Sequence, residues 1–176
     1  VALLVSTVAL PFYSVFAKDR LGVPASMAGT YLAAYTVAIV GSTLFWGQLS
    51  DRYGNRVLML LVSLLSIPLP MVPVLFGDVI SYSVFTLVFL MLGIIKAGIQ
   101  IVSLSFVLEI APPSERVLYV GLVNTVLGTV SLILMVGGVI AEQWGLNTLF
   151  SLSACSALLA AFFVWKLREP RTTRPQ

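Results

Sequence analysis

The sequence has few of the residues from which catalytic and metal sites are usually built. It contains no histidine and a single cysteine, Cys155, among 176 residues. One thiol excludes an intrachain disulfide and a cysteine metal site, and no acidic cluster has metal-ligand spacing. The apolar segments also lack a carboxylate pair, a histidine cluster or a nucleophile with its base. We therefore expect no enzymatic activity, no cofactor and no metal.

Charge is also scarce, and apolar residues take its place. Charged residues make up 10% of the chain, hydrophobic residues make up 59%, and the mean hydropathy is +1.05. Long apolar runs separated by short polar turns are typical of helical membrane proteins. The net charge of +3 does not indicate nucleic-acid binding, because the basic residues flank the apolar runs. The sequence predicts an all-α, multi-pass integral membrane protein embedded in a lipid bilayer.

A helix needs roughly 20 apolar residues to cross the bilayer, and the sequence predicts six such spans. They cover about residues 1–17, 26–49, 57–76, 79–110, 117–141 and 146–167, and a polar tail, 168–176, follows. Three prolines should kink or loosen the third span, namely Pro68, Pro70 and Pro73. The first span looks truncated and begins without methionine, which favours a fragment of a longer protein.

Basic residues predict the orientation of the chain. With an even number of spans, both ends lie on one side of the membrane. That side carries Arg52, Arg56, Arg116, Lys166, Arg168, Arg171 and Arg174. The opposite side carries only Lys18 and Arg20, so the positive-inside rule predicts that the first side is cytoplasmic, in the cell (inner) membrane. The three tryptophans, Trp46, Trp144 and Trp165, fall near span ends, where interfacial anchors are expected.

The turn after the second predicted span reads Gly-Gln-Leu-Ser-Asp-Arg-Tyr-Gly-Asn-Arg from residue 47 to residue 56. Its charges are costly in lipid, so the chain must reach water here. This loop resembles the signature loop of the major facilitator superfamily, Gly-x-Leu-(Ala/Ser)-Asp-Arg-x-Gly-x-(Arg/Lys). The matching residues are Gly47, Leu49, Ser50, Asp51, Arg52, Gly54 and Arg56. Asn55 is a mild departure, because the family often has a basic residue at this position.

A second segment, from Glu109 to Arg116, resembles the Glu-x-x-Pro-x-x-x-Arg segment that follows the fourth helix of a repeat in the same superfamily. The resemblance covers essentially the whole chain as one six-helix half of a protein with about twelve helices. It implies secondary transport of a small solute by alternating access, with a missing N-terminal half or a second copy as partner. The short basic tail favours the C-terminal half.

The resemblance also implies a role for the charges in the two segments. Carboxylates at Asp51 and Glu109, with cations at Arg52, Arg56 and Arg116, would lock the inner gate while the cavity faces outward. Each ion pair at a hydrated surface is worth about 1 kcal/mol, which suits a gate that opens repeatedly. The alternative is that these charges only set topology and solubility.

Lys96 is the only charge deep inside a predicted span, near its midpoint. A midplane lysine costs about 2.5–3.5 kcal/mol, so it should face a cavity or a partner. Polar or small residues share helical faces in three spans: Gly93, Lys96, Gln100 and Ser103; Gly121, Asn124, Gly128 and Ser131; and Tyr31, Tyr35, Ala38 and Ser42. These stripes resemble the central-cavity lining of the superfamily. Alternatively, the small residues of the fifth span permit close helix packing.

Several interpretations remain open for Lys96 and for the whole protein. Lys96 contacts either an anionic group of the solute or a carboxylate in the missing half, or it forms a structural ion pair or reaches bound water. For the chain as a whole, the alternatives are a non-transporting scaffold or receptor with the same fold and a half-size transporter acting as a dimer.

Overall fold

The computed structural model describes residues 9–77 and 79–166, which are helical apart from short turns. It forms eight helical segments: α1 Leu10–Leu21, α2 Ala25–Tyr53, α3 Asn55–Ser66, α4 Pro68–Phe76, α5 Tyr82–Ile110, α6 Arg116–Ser131, α7 Ile133–Trp144 and α8 Leu146–Lys166. The predicted all-α class is confirmed. The predicted tail, 168–176, and the first eight residues of the first predicted span lie outside the described residues.

Four helical stretches are long and apolar enough to cross a membrane. They are Ser26–Tyr53, Asn55–Phe76, Ser83–Glu109 and Leu146–Lys166. These stretches overlap the second, third, fourth and sixth predicted spans. The remaining segments are shorter, with 12 residues in α1, 16 in α6 and 12 in α7. Four candidate spans in one chain make this an integral, multi-pass membrane protein.

Two of the predicted spans, the third and the fifth, are each divided into two helices. The break between α3 and α4 falls at Ile67, directly before Pro68, whose ring and missing N–H interrupt the helical hydrogen bonds. The break between α6 and α7 at Leu132 has no proline and was not predicted. It follows two threonines whose hydroxyls donate to the carbonyl oxygens four residues earlier, Thr125 to Gly121 and Thr129 to Thr125. Such bonds tend to bend helices.

The central helix is α5, which packs most extensively on α2 and also contacts α1, α3, α4 and α6. Two glycines permit this close approach. A Cβ atom at Gly93 would meet the carbonyl oxygen of Tyr35 and lie 2.7 Å from Cβ of Ala38. A Cβ atom at Gly98 would lie 2.5 Å from Cγ2 of Val62 and 3.1 Å from the Trp46 ring. A larger residue at either position would separate α5 from its neighbours.

The space at Gly98 explains why one tryptophan is not at the membrane interface. Trp46 is only 2% exposed, and its Nε1 donates a hydrogen bond of 2.8 Å to the carbonyl oxygen of Ile94 on α5. The prediction that Trp46 is an interfacial anchor is therefore wrong. Trp144 and Trp165 differ from Trp46, because they are 66% and 64% exposed.

An aromatic cluster holds α1 and α8 against α5 at the end of the bundle opposite the 47–56 loop. The ring of Tyr13 lies 4.9 Å from that of Phe150, and the Phe16 ring lies 5.8 Å from both Phe85 and Phe150, measured between centroids. All four side chains are at most 2% exposed. Ring–ring contacts at these distances stabilise the packing of the three helices. We call this end the far end and the other the loop end.

Candidate functional site

At the loop end, the turn between α2 and α3 is a single glycine. The last residue of α2 is Tyr53, Gly54 has φ 85° and ψ 162°, and α3 begins at Asn55. A positive φ of this size favours glycine, because a side chain would clash with the backbone. The N–H of Gly54 donates to the carbonyl oxygen of Ser50 at 3.0 Å and so closes the end of α2. The turn is therefore tight.

A chain of hydrogen bonds joins this turn to α5. The hydroxyl of Ser50 donates to Oδ1 of Asn55 over 2.5 Å, and Nδ2 of Asn55 donates to Oε2 of Glu109 over 2.8 Å. Ser50 is 3% exposed and Asn55 is 2% exposed, while Glu109 is half-buried. Hydrogen bonds to a carboxylate are stronger than those between neutral groups. The three residues, which we call the loop-end junction, therefore connect the end of α2, the start of α3 and the end of α5.

Sequence reasoning missed the role of Asn55, which it treated only as a mild departure from the loop pattern. A signal for it was nevertheless present. Asn55 is an amide directly after a glycine turn, at the first position of a helix that is otherwise strongly apolar. An amide there is able to donate and accept at once, which a basic residue is not. It is therefore suited to bridge a hydroxyl and a carboxylate.

Arg56 connects the same turn to α8. Its NH2 group donates a hydrogen bond of 2.7 Å to the carbonyl oxygen of Trp165, in the last turn of α8. Carbonyl groups in the last turn of a helix lack helical partners and carry partial negative charge, so a guanidinium group is well suited to them. The start of α3 is thereby attached to both α5 and α8.

The other residues of the predicted gate lie on the surface around this junction. Asp51, Arg52 and Arg116 are exposed, and the Arg52 guanidinium lies 5.4 Å from the centroid of the Tyr53 ring. Gly47 lies within α2, and a Cβ atom there would have no described atom within 4 Å apart from its chain neighbours and the nearby backbone of α2. The predicted locking of a gate by this group of charges stays a prediction.

Four polar residues of the predicted stripes line one cavity of about 300 Å³ between α5 and α6. They are Lys96, Gln100, Ser103 and Asn124. We call it the near cavity, because it lies on the loop-end half of α5. Lys96 stands at the middle of this 29-residue helix and is half-buried. Gly93 belongs to the predicted stripe but not to the cavity, since it faces α2.

Tyr31 and Tyr35 line a different cavity, of about 680 Å³, between α1, α2 and the far-end half of α5. We call it the far cavity. Tyr31 is 3% exposed, and its ring stacks on that of Phe89 with a centroid distance of 4.5 Å. The predicted set of cavity residues is therefore divided between two spaces. A crevice of about 20 Å³ adjoins both, because it shares Leu92 with the far cavity and Lys96 with the near cavity.

Comparison with known proteins gives one match. A family model described as Major Facilitator Superfamily matches residues 1–176, the whole chain. No curated protein and no solved structure matches the chain. The match agrees with the four long apolar helices and with the two segments, around Gly54 and Glu109, that resemble this family and meet at the loop-end junction. The chain therefore belongs to the major facilitator superfamily.

Proposed function

We propose that this chain forms the C-terminal six-helix half of a transporter that moves a small solute across the cell (inner) membrane by alternating access. Membership of the superfamily implies secondary transport, and its members are typically not enzymes. The observation that carries the proposal is the near cavity, where polar side chains from two helices surround a lysine at the middle of a membrane-length helix. A scaffold has little reason to bury such a charge.

The chemistry of the near cavity favours an anionic or strongly polar group of the solute. Lys96 offers three N–H donors, and the amides of Gln100 and Asn124 offer further donors beside it. Among the described residues that line the cavity, none is acidic. The solute, or a carboxylate from the other half of the transporter, would therefore supply the negative charge that Lys96 requires.

The loop-end junction supports a gate at the cytoplasmic side. Alternating access moves rigid groups of helices past one another, with states separated by a few kcal/mol. The bonds of Ser50, Asn55 and Glu109 hold α2, α3 and α5 as one such group. The charges of Asp51, Arg52 and Arg116 lie exposed at its surface, where ion pairs form and break at low cost. Basic residues at this end, against Lys18 and Arg20 at the far end, favour a cytoplasmic location.

Transport is tested most directly by changing Lys96 in the full-length protein. Proteoliposomes would be screened against a panel of organic anions and polar metabolites by solid-supported-membrane electrophysiology. We expect Lys96→Ala to reduce the current for any transported solute at least about tenfold, since one charge-assisted hydrogen bond is worth about 1.5–3 kcal/mol. Lys96→Arg should restore part of the current because it restores the charge.

Lys166→Ala is the matched control, because Lys166 is exposed at the end of α8 and lies over the Phe162 ring. Its currents should equal those of the parent protein. Parent-like currents from a folded Lys96→Ala protein would remove Lys96 from the solute site. A folded parent protein that moves no solute in the panel would instead favour the scaffold or receptor alternative, and a transporting dimer of this chain would favour the half-size alternative.

A further inference from the structure

The far cavity has the size and lining of a small-molecule site. Its volume of about 680 Å³ falls within the range of roughly 300–1,000 Å³ that such sites occupy. It remains open because α1 and α2 pack against α5 rather than extensively against each other. Its walls are apolar and aromatic, with Leu32 on α2, Leu92 on α5 and the stacked rings of Tyr31 and Phe89. Such walls favour a ligand with an apolar or aromatic body.

The charge of the lining has one sign. Among the described residues that line the far cavity, Lys18 is the one charged residue, and none is acidic. Lys18 is exposed in the last turn of α1, so its ammonium group lies at the rim and not among the apolar walls. The hydroxyl of Ser14, one turn earlier, already donates to the carbonyl oxygen of Pro11 over 2.6 Å. The charged contact that these lining residues offer a ligand is therefore a cation at one edge of a largely apolar space.

We propose that the far cavity binds a free amphipathic monoanion, such as a medium-chain carboxylate. The apolar body would lie against Leu32, Tyr35 and Phe89, and the carboxylate would accept a hydrogen bond from Nζ of Lys18. A charge-assisted bond at the rim fixes the orientation, while burial of the body supplies most of the affinity. The site is distinct from the near cavity, and binding there requires neither Lys96 nor a transport cycle.

The test measures binding directly, with no gradient across the membrane. The full-length protein would be placed in nanodiscs of zwitterionic phospholipid, and radiolabelled octanoate would be bound at pH 8 in a scintillation proximity assay, with empty nanodiscs subtracted. We expect Lys18→Gln to weaken octanoate binding about five- to tenfold, less than for a buried charge-assisted hydrogen bond, because Lys18 is exposed at the rim. Binding of labelled octanol, which has no charge, should be the same in both proteins.

Arg20→Gln is the matched control, because Arg20 occupies the same last turn of α1 but does not line the cavity. It removes an equal charge and should leave octanoate binding unchanged. A second variant, Ala28→Trp, fills the cavity from α2 and should weaken octanoate and octanol binding alike. Both changes replace exposed residues, so folding is expected to survive and is checked by the elution profile and the thermal unfolding curve.

Several outcomes would overturn the proposal, and three of them concern the zwitterionic nanodiscs. They are absence of octanoate binding, equal binding by the parent and Lys18→Gln proteins, and an equal loss in Arg20→Gln, which would mark a general charge effect. In nanodiscs of anionic phospholipid, loss of octanoate binding would overturn the assignment to a free solute and indicate a lipid occupant. Lys18-dependent octanoate binding without solute flux would support this inference and contradict the proposed transport function. Solute flux without Lys18-dependent binding would support the transport function and contradict this inference.

Discussion

The helices α5 and α6 both carry glycines and polar residues at helical spacing, but these residues have different surroundings. On α5, Gly93 and Gly98 face α2 and α3 so closely that an added Cβ would collide with neighbouring atoms. On α6, a Cβ at Gly121 or Gly128 would have no described atom within 4 Å apart from its chain neighbours and the nearby backbone of its own helix. The same residue type therefore brings helices together on α5 and leaves an open surface on α6. Among the residues that the structure describes, no neighbouring helix packs against these α6 glycines as that interpretation would require.

The largest effect is expected from Gly93→Ala, which tests the packed side of the comparison. The new methyl group would meet the carbonyl oxygen of Tyr35, a backbone atom that is unable to move aside without displacing α2. We expect the free energy of unfolding to fall by about 3 kcal/mol, the upper end of what overpacking usually costs. The measurement is reversible unfolding in mixed detergent micelles.

Gly121→Ala is the control on the open side. An alanine in a helix is favoured over glycine by about 1 kcal/mol, and nothing near Gly121 opposes the added methyl group. The variant should be neutral or slightly more stable. Equal destabilisation by the two variants would contradict the contrast between α5 and α6, because it would show that local crowding does not decide the cost.

A smaller effect is expected from Asn55→Ala, which removes the central residue of the loop-end junction. Ser50 loses an acceptor and Glu109 loses a donor, both in a largely buried setting. We expect a loss of about 2 kcal/mol in the free energy of unfolding, because buried polar groups that lose a partner are costly. The matched variant is Asn124→Ala on α6, where the side chain is exposed in the near cavity and the effect on stability should be close to zero.

The same variant also tests the proposed gate. If the junction holds α2, α3 and α5 as one rigid group, its loss should change the accessibility of single cysteines introduced at the two ends of the bundle. Unchanged accessibility at both ends, together with a clear loss of stability, would show that the junction is structural and has no part in the gate. Glu109→Gln keeps an oxygen that accepts from Asn55, so it should have the smaller effect on stability.

The sequence predicted the parts of this protein that depend on local chemistry. Apolar length predicted helices that end close to the observed ones, for example 26–49 against Ala25–Tyr53 and 146–167 against Leu146–Lys166. The sequence predicted that Pro68, Pro70 and Pro73 kink or loosen the third span, because proline removes a donor regardless of context, and the helix is interrupted directly before Pro68. The break at Leu132 was not, because threonine hydroxyls bond to the backbone only in some helices.

Contacts between distant residues were harder to predict. Periodicity placed Gly93 and Lys96 on one stripe of α5. In the structure, however, Gly93 packs against α2 and Lys96 lines the near cavity. Tyr31 and Tyr35 were grouped with Lys96, yet they line the far cavity instead. A stripe tells which residues share a helix face, and the angle at which the next helix crosses decides what that face meets.

The smallest loss of stability is expected from Trp46→Phe, which tests the hydrogen bond between α2 and α5. Trp46 lies between α2 and α5, where Gly98 leaves room for the indole, and its Nε1 donates a hydrogen bond of 2.8 Å to the carbonyl oxygen of Ile94. Phenylalanine keeps most of the apolar volume and loses the N–H donor. We expect the free energy of unfolding to fall by about 1 kcal/mol, the usual net worth of one hydrogen bond. Trp144→Phe, at a residue 66% exposed on α7, should change stability by less. If Trp144→Phe lost more stability than Trp46→Phe, the hydrogen bond to Ile94 would contribute little. The contact between α2 and α5 would then be stabilised by close packing at the glycines alone.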